Sequence, residues 1–166
     1  MVASKPQFIS PLQLAERQEK LTGSIPVSAL RRLREVLYNS KGGVNYELHF
    51  GKDDQGQVFI KGTFSVMLNL RCQRCMQPMD LMIENRICLG VVNSEDAGCL
   101  SERYEPIKLV DNQILLETLL EEEILLAMPI APVHEQDSCR GDALMDKYKA
   151  GTESPFAVLK NLKIEK

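Results

Sequence analysis

The chain contains no tryptophan, and its 166 residues include only four tyrosines and five phenylalanines. So small an aromatic stock argues against base stacking as the main mechanism of the protein. No apolar run reaches the roughly 18 residues that a membrane-spanning helix requires. The longest candidate, residues 114–128, is broken by Glu117 and by Glu121, Glu122 and Glu123. Residues 1–10 lack a basic region followed by an apolar core, so no signal peptide is read there and the cytoplasm is the expected compartment. A Gly-rich phosphate loop, a G-x-S-x-G elbow and an H-E-x-x-H helix are all missing. Basic excess is missing too, because the net charge is −3. A protein that grips nucleic acid by bulk charge shows the opposite balance.

What charge there is lies unevenly. Residues 1–43 carry seven Lys/Arg against three Asp/Glu, whereas residues 93–139 carry two against eleven. Such a division suits pairing within the molecule, or a basic protein partner. The hydrophobic fraction of 44% and the charged fraction of 26% are those of a folded chain, and the length is that of one domain.

Periodicity divides that domain. Ser10-Pro11 opens a short helix that Thr22-Gly23 should stop, and a second helix should run from Pro26 or Ser28 to Tyr38. From residue 44 the period changes to two. Val44, Tyr46, Leu48 and Phe50 alternate with polar residues. Val58, Ile60, Phe64, Val66, Leu68 and Leu70 share one face of a second strand. Leu81, Ile83, Ile87, Leu89 and Val91 share one face of a third. Short connections favour an antiparallel meander. A short strand over 104–110 and a buried helix over 113–127 follow, with Asp111 or Asn112 as its cap. Pro129 and Pro132 prevent that helix from continuing. The expected fold is therefore α+β, an antiparallel meander or partly closed barrel packed with helices. Its parts are a helical N-terminal segment over 1–43, the sheet and buried helix over 44–133, a flexible connection over 134–153 and a final helix over 154–163.

Five cysteines, an odd number, do not suggest a disulfide framework in a reducing compartment. Cys72-Gln73-Arg74-Cys75 falls where the second long strand turns into the third. A turn aims both thiolates one way, which is half of a structural zinc site. His134 and Cys139, after the buried helix, offer the other half. The two halves are separated by 58 residues, so spacing alone leaves two readings open: a Cys72, Cys75, His134 and Cys139 zinc site, or reduced thiols and imidazole without metal. A thioredoxin-type motif opens a helix that lowers its thiol pKa, and here strands flank both sides. His49 reads as a solvated edge histidine. Arg31, Arg32, Arg34, Arg71 and Arg74 are candidate phosphate contacts, although arginines without a supporting net charge are usually solvated helix and turn faces. Glu121 and Glu122 are candidate contacts to a protein partner, and a charged rim on a buried helix is the plainer account of the Glu121–Glu123 run.

Four stretches in order carry a family resemblance: Leu70-Arg71-Cys72-Gln73-Arg74-Cys75, Tyr104-Glu105-Pro106-Ile107, Glu122-Glu123-Ile124-Leu125-Leu126-Ala127-Met128-Pro129 leading to His134 and Cys139, and Pro155-Phe156-Ala157-Val158-Leu159. Together they resemble the bacterial large ribosomal RNA subunit accumulation protein family. The resemblance implies a non-enzymatic factor in the synthesis, processing or stability of 23S ribosomal RNA. Its implied partners are the precursor large ribosomal subunit, its RNA or a basic ribosomal protein. The competing class is a catalyst: a metal-dependent RNA-processing enzyme or a thiol oxidoreductase that uses the C-x-x-C turn.

Overall fold

The protein is described by a computed structural model over residues 7–92, 100–135 and 139. Ten alternating residues make strand β3 (Gly43–Lys52), and two longer strands follow, β4 (Val58–Arg71) and β5 (Pro78–Val92). They pair as the expected meander, with Phe50 opposite Ile60 and Phe64 opposite Asn85. Side chains alternate across a strand, so one face collects Val44, Leu48, Phe50, Ile60, Phe64, Val66, Leu68, Leu70, Ile83, Ile87 and Leu89, all buried. The other face is polar and open.

Helices and edge strands cover the apolar face. A two-residue strand, β1 (Phe8–Ile9), leads into helix α1 (Pro11–Glu16), which has Pro11 in its first turn and packs on β3 and β4. Ser10 stands at the N-cap position, but its hydroxyl does not cap. The expected first helix is thus shorter than its periodicity suggested. Gln18, at φ 52°, reverses the chain, and Lys20–Pro26 is strand β2, paired antiparallel to β3. The second helix is also shorter than expected. A 3-10 turn over Val27–Ala29 and extended backbone at Leu30 precede helix α2 (Arg31–Val36).

After β5 the chain returns to add a four-residue strand, β6 (Glu105–Lys108), parallel to β5. The sheet order is β2-β3-β4-β5-β6. It is an open mixed sheet, so the meander is realised and barrel closure is not. A parallel neighbour needs a connection of about a dozen residues, and residues 93–104 supply one.

Asp111 and Asn112 do not cap a helix. Both have positive φ, 51° and 60°, and they form a two-residue turn closed by Val110 and Gln113. Strand β7 (Ile114–Leu115) then pairs with β1, and helix α3 (Leu116–Ala127) starts three residues later than expected. Leu116, Leu119, Leu120 and Ile124 are buried, and α3 packs on β5 and against α2. Among the described residues no helix is long and apolar enough to cross a membrane. The expected final helix and most of the expected flexible connection lie outside the described residues.

Candidate metal centre

The turn between β4 and β5 begins at Cys72, whose amide donates to Gln77 O at 2.9 Å. Met76 donates to Cys72 O at 2.9 Å and takes a φ of 60°, which tightens the turn enough to bring Cys75 back beside Cys72. The second half arrives from the far side of α3. Pro129 and Pro132 force an extended exit from the helix, and the Gln73 amide donates to Pro132 O at 2.8 Å, pinning that exit to the turn. His134 and Cys139 are thereby delivered opposite the two turn cysteines.

The four side chains converge. The Cys72 and Cys139 sulfurs are 3.8 Å apart, and Cys75 Sγ lies 3.4 Å from His134 Nδ1. All four candidate ligand atoms lie within 4.8 Å of one another, with Cys72 and Cys139 buried. A regular tetrahedron with Zn–S of about 2.3 Å and Zn–N of about 2.05 Å has S···S edges of roughly 3.8 Å and S···N edges of roughly 3.5 Å. Two of the spacings already match those edges. The imidazole is also set correctly. His134 Nε2 sits 3.3 Å from Pro78 O, and a carbonyl can only accept, so the Nε2–H is the donor. That tautomer leaves the Nδ1 lone pair aimed at the thiols. A backbone carbonyl on the distal nitrogen is how metal-bound histidines are commonly oriented.

Electrostatics favour thiolate at Cys72. Burial alone would push this thiol up. Hydrogen bonds from the Cys75, His134 and Arg74 amides and from the Cys75 thiol outweigh it and bring the thiol down to about 5. The Arg74 amide is 3.4 Å from Cys72 Sγ. A site that holds a thiolate among amide donors suits a divalent, thiophilic cation. The tetrad can therefore hold a metal ion, and its four protein ligands would leave no open position for a substrate or water.

The other candidate residues fall into place differently. Arg31, Arg32 and Arg34 are exposed on α2, and Arg71 and Arg74 are exposed around the cysteine turn. Tyr38, two residues beyond α2, donates its amide to Asn69 O at 2.8 Å, and the Arg71 guanidinium lies 5.9 Å from its ring centre. The three consecutive glutamates of α3 have three separate surroundings. Glu121 is buried, and its carboxylate accepts the Leu33 amide at 3.0 Å, so it caps the N-terminus of α2, which has no cap of its own. Glu122 is exposed and 3.5 Å from Arg32. Glu123 is buried, and desolvation, then Glu105 and Glu122, push its carboxyl up. The cap was invisible in the sequence, because Glu121 and Leu33 are 88 residues apart. His49 is exposed, as expected. Cys88 donates its thiol to Arg103 O at 3.2 Å and stands apart from the tetrad.

An open-sheet α+β protein with a Cys3His tetrad, able to hold a metal ion, between its longest hairpin and the exit of its main helix is the class that fold and site define. Comparison with known proteins narrows it. The family model described as large ribosomal RNA subunit accumulation protein YceD matches residues 60–163. The chain is 32% identical to the "Large ribosomal RNA subunit accumulation protein YceD" of Haemophilus influenzae, over 95% of each chain. The chain belongs to this family. No solved structure matches it.

Proposed function

We propose that the protein is a non-enzymatic factor in the accumulation of large-subunit ribosomal RNA, acting in the cytoplasm on precursor large subunits through their RNA, a basic ribosomal protein, or both. The observation that carries this reading is the full-length relationship to a protein named for that role. The tetrad supports it. Four protein ligands around one ion make a structural staple, and we assign zinc to it because three sulfurs and one imidazole suit that ion. A nuclease would need an open coordination position, and a thiol oxidoreductase would need its first cysteine at a helix N-terminus, where β5 stands instead.

Charge placement supports a two-sided contact. The exposed α2 arginines, and Arg71 and Arg74 around the cysteine turn, are the proposed contacts to phosphate. Of the acidic run, Glu121 is spent inside the molecule and Glu122 is partly offset by Arg32, so Glu122 is the carboxylate left to meet a basic protein. The test is co-sedimentation of the tagged protein with precursor large subunits from cell extract. Replacing Arg31, Arg32 and Arg34 together with glutamate should weaken the association and make it less salt-sensitive, and Glu122→Gln, which also frees Arg32 of its partner, should weaken it as well. Free sedimentation of the wild-type protein at physiological salt would refute the proposal.

A further inference from the structure

Two of the nine Phe and Tyr residues stand together with a histidine. His49 of β3, Phe59 of β4 and Tyr104 before β6 form a row across the open face of the sheet. Phe59 and Tyr104 are nearly parallel, at 7° with ring centres 6.2 Å apart, and His49 lies 6.1 Å from Phe59 on the other side. The row is built on two glycines. A Cβ at Gly51 would come within 2.7 Å of the Phe59 ring, and one at Gly90 would come within 3.0 Å of Tyr104 Cβ and 2.5 Å of Leu100. Phe59 and the buried Tyr104 thus lie against bare backbone. Tyr104 is fixed further by a hydrogen bond from its hydroxyl to Asp53 Oδ2 at 3.1 Å.

Cations gather on these rings. Lys61 Nζ stands 4.4 Å from the Phe59 centre and 5.1 Å from that of Tyr104, and the Arg103 guanidinium is 5.8 Å from Tyr104. Among the described residues neither cation is in a salt bridge. Next along the same face lies a cavity of about 760 Å³ whose lining includes the outward side chains Asn45, Glu47, Thr63, Ser65, Glu84 and Arg86. They hold cross-strand register, Asn45 with Ser65 and Glu84, and Glu47 with Thr63 and Arg86. No described helix packs on this face.

We infer that the open sheet face binds single-stranded RNA, with a base stacked at Phe59, Lys61 and Arg103 on the flanking phosphates, and the polar cavity taking the neighbouring nucleotide. This deepens the ribosomal-RNA reading above and rests on it. Ring faces and cations outside any described salt bridge, Lys61 and an Arg103 that donates to Ser101 Oγ and faces Asp53, match a polymer that presents a flat π surface and an anion with every unit. Lys61 covers the Phe59 ring in the free protein. An exposed cation–π contact is worth roughly half as much as a stacked base or less, so a base displaces the ammonium and frees it for phosphate. The Asn45 amide and the Thr63 and Ser65 hydroxyls of the cavity suit base edges and 2′-hydroxyls, and the Glu47 and Glu84 carboxylates beside them can accept only from base or sugar donors.

The experiment uses the full chain and labelled RNA oligomers of roughly ten nucleotides, within the usual site size of such grooves. Phe59→Leu removes the π face with little loss of volume and should weaken binding by roughly 5- to 100-fold. Lys61→Gln should lower the log–log salt slope by about 0.7. Because the chain has no tryptophan, His49→Trp places a single reporter on an exposed position of the row, and RNA should quench it while duplex RNA should not. Wild-type affinity in both Phe59→Leu and Lys61→Gln, or no quenching, overturns the inference. If the protein still sediments with precursor subunits in that case, the ribosomal reading stands and only the face is wrong. If the variants lose particle association while oligomer binding is unchanged, the face docks a protein and the RNA inference is refuted.

Discussion

Removing the proposed metal should loosen the junction between the β4–β5 turn and the exit of α3. The tetrad links the β4–β5 turn to the exit of α3, and its nearest cross-segment pair, Cys75 and His134, is 59 residues apart in sequence. Treated as a cross-link closing a loop of that length, the ion restricts the unfolded chain by about 4 kcal/mol at 25 °C. Binding at a free zinc concentration about 1,000-fold above the dissociation constant stabilises by a similar amount, about 4 kcal/mol. For a chain of this size each kcal/mol moves the melting temperature by about 2–4 °C, so the zinc form should melt about 8–16 °C above the metal-free form. Differential scanning calorimetry of protein purified with zinc, stripped with chelator and refilled measures this directly. Elemental analysis should give one zinc per chain, and cobalt should give the ligand-field spectrum of a tetrahedral thiolate site. Cys139→Ser should abolish most of the shift while leaving the far-ultraviolet circular dichroism of the sheet. The reasoning fails if zinc-saturated and stripped proteins melt within about 2 °C of each other, or if Cys139→Ser retains both full zinc and the full shift.

Three further outcomes follow from the packing. Leu120, fully buried in α3, should cost about 2–5 kcal/mol on truncation to alanine, read from urea unfolding. Glu121→Ala should cost about 1.5–3 kcal/mol, because it removes a charge-assisted bond to the α2 N-terminus and leaves the Leu33 amide unpaired; Glu121→Gln, which keeps an acceptor oxygen, should recover part of that. Glu123 is pushed up by desolvation and by Glu105 and Glu122. A carboxyl raised on folding destabilises the native state above its folded pKa, and the penalty disappears as pH falls below the unfolded value. Glu123→Gln should therefore raise the melting temperature at pH 7, with the gain shrinking toward wild type as pH falls through the carboxylate range.

The long strands were readable because one face of each is buried and the other is not, so the period-two pattern survives over ten or more residues. Strand β2 was not readable. It lies at a sheet edge, only Ile25 of its seven residues is buried, and a half-buried edge imposes little pattern. The parallel seat of β6 was equally hidden, since four residues carry no information about direction. The cysteine turn was legible as half a metal site from its place between strands. Its completion by His134 and Cys139 was one of two readings, because convergence depends on how Pro132 meets Gln73, a backbone contact that no side-chain pattern encodes. The aromatic row was overlooked for a related reason. Counting aromatics gives a small number, and only the register Gly51 opposite Phe59 opposite Gly90 places them side by side.

The separation of the ligands along the chain also sets a schedule for biosynthesis. Cys72 precedes Cys139 by 67 residues. At 5–20 residues per second a translating ribosome takes about 3–13 seconds to pass from one to the other. Throughout that interval the nascent hairpin carries two thiols, Cys72 and Cys75, without the His134 and Cys139 that would complete the proposed site. If the tetrad takes zinc as proposed, completion waits for His134 and Cys139 to emerge, and zinc present during synthesis should raise the fraction of newly made protein that carries the ion.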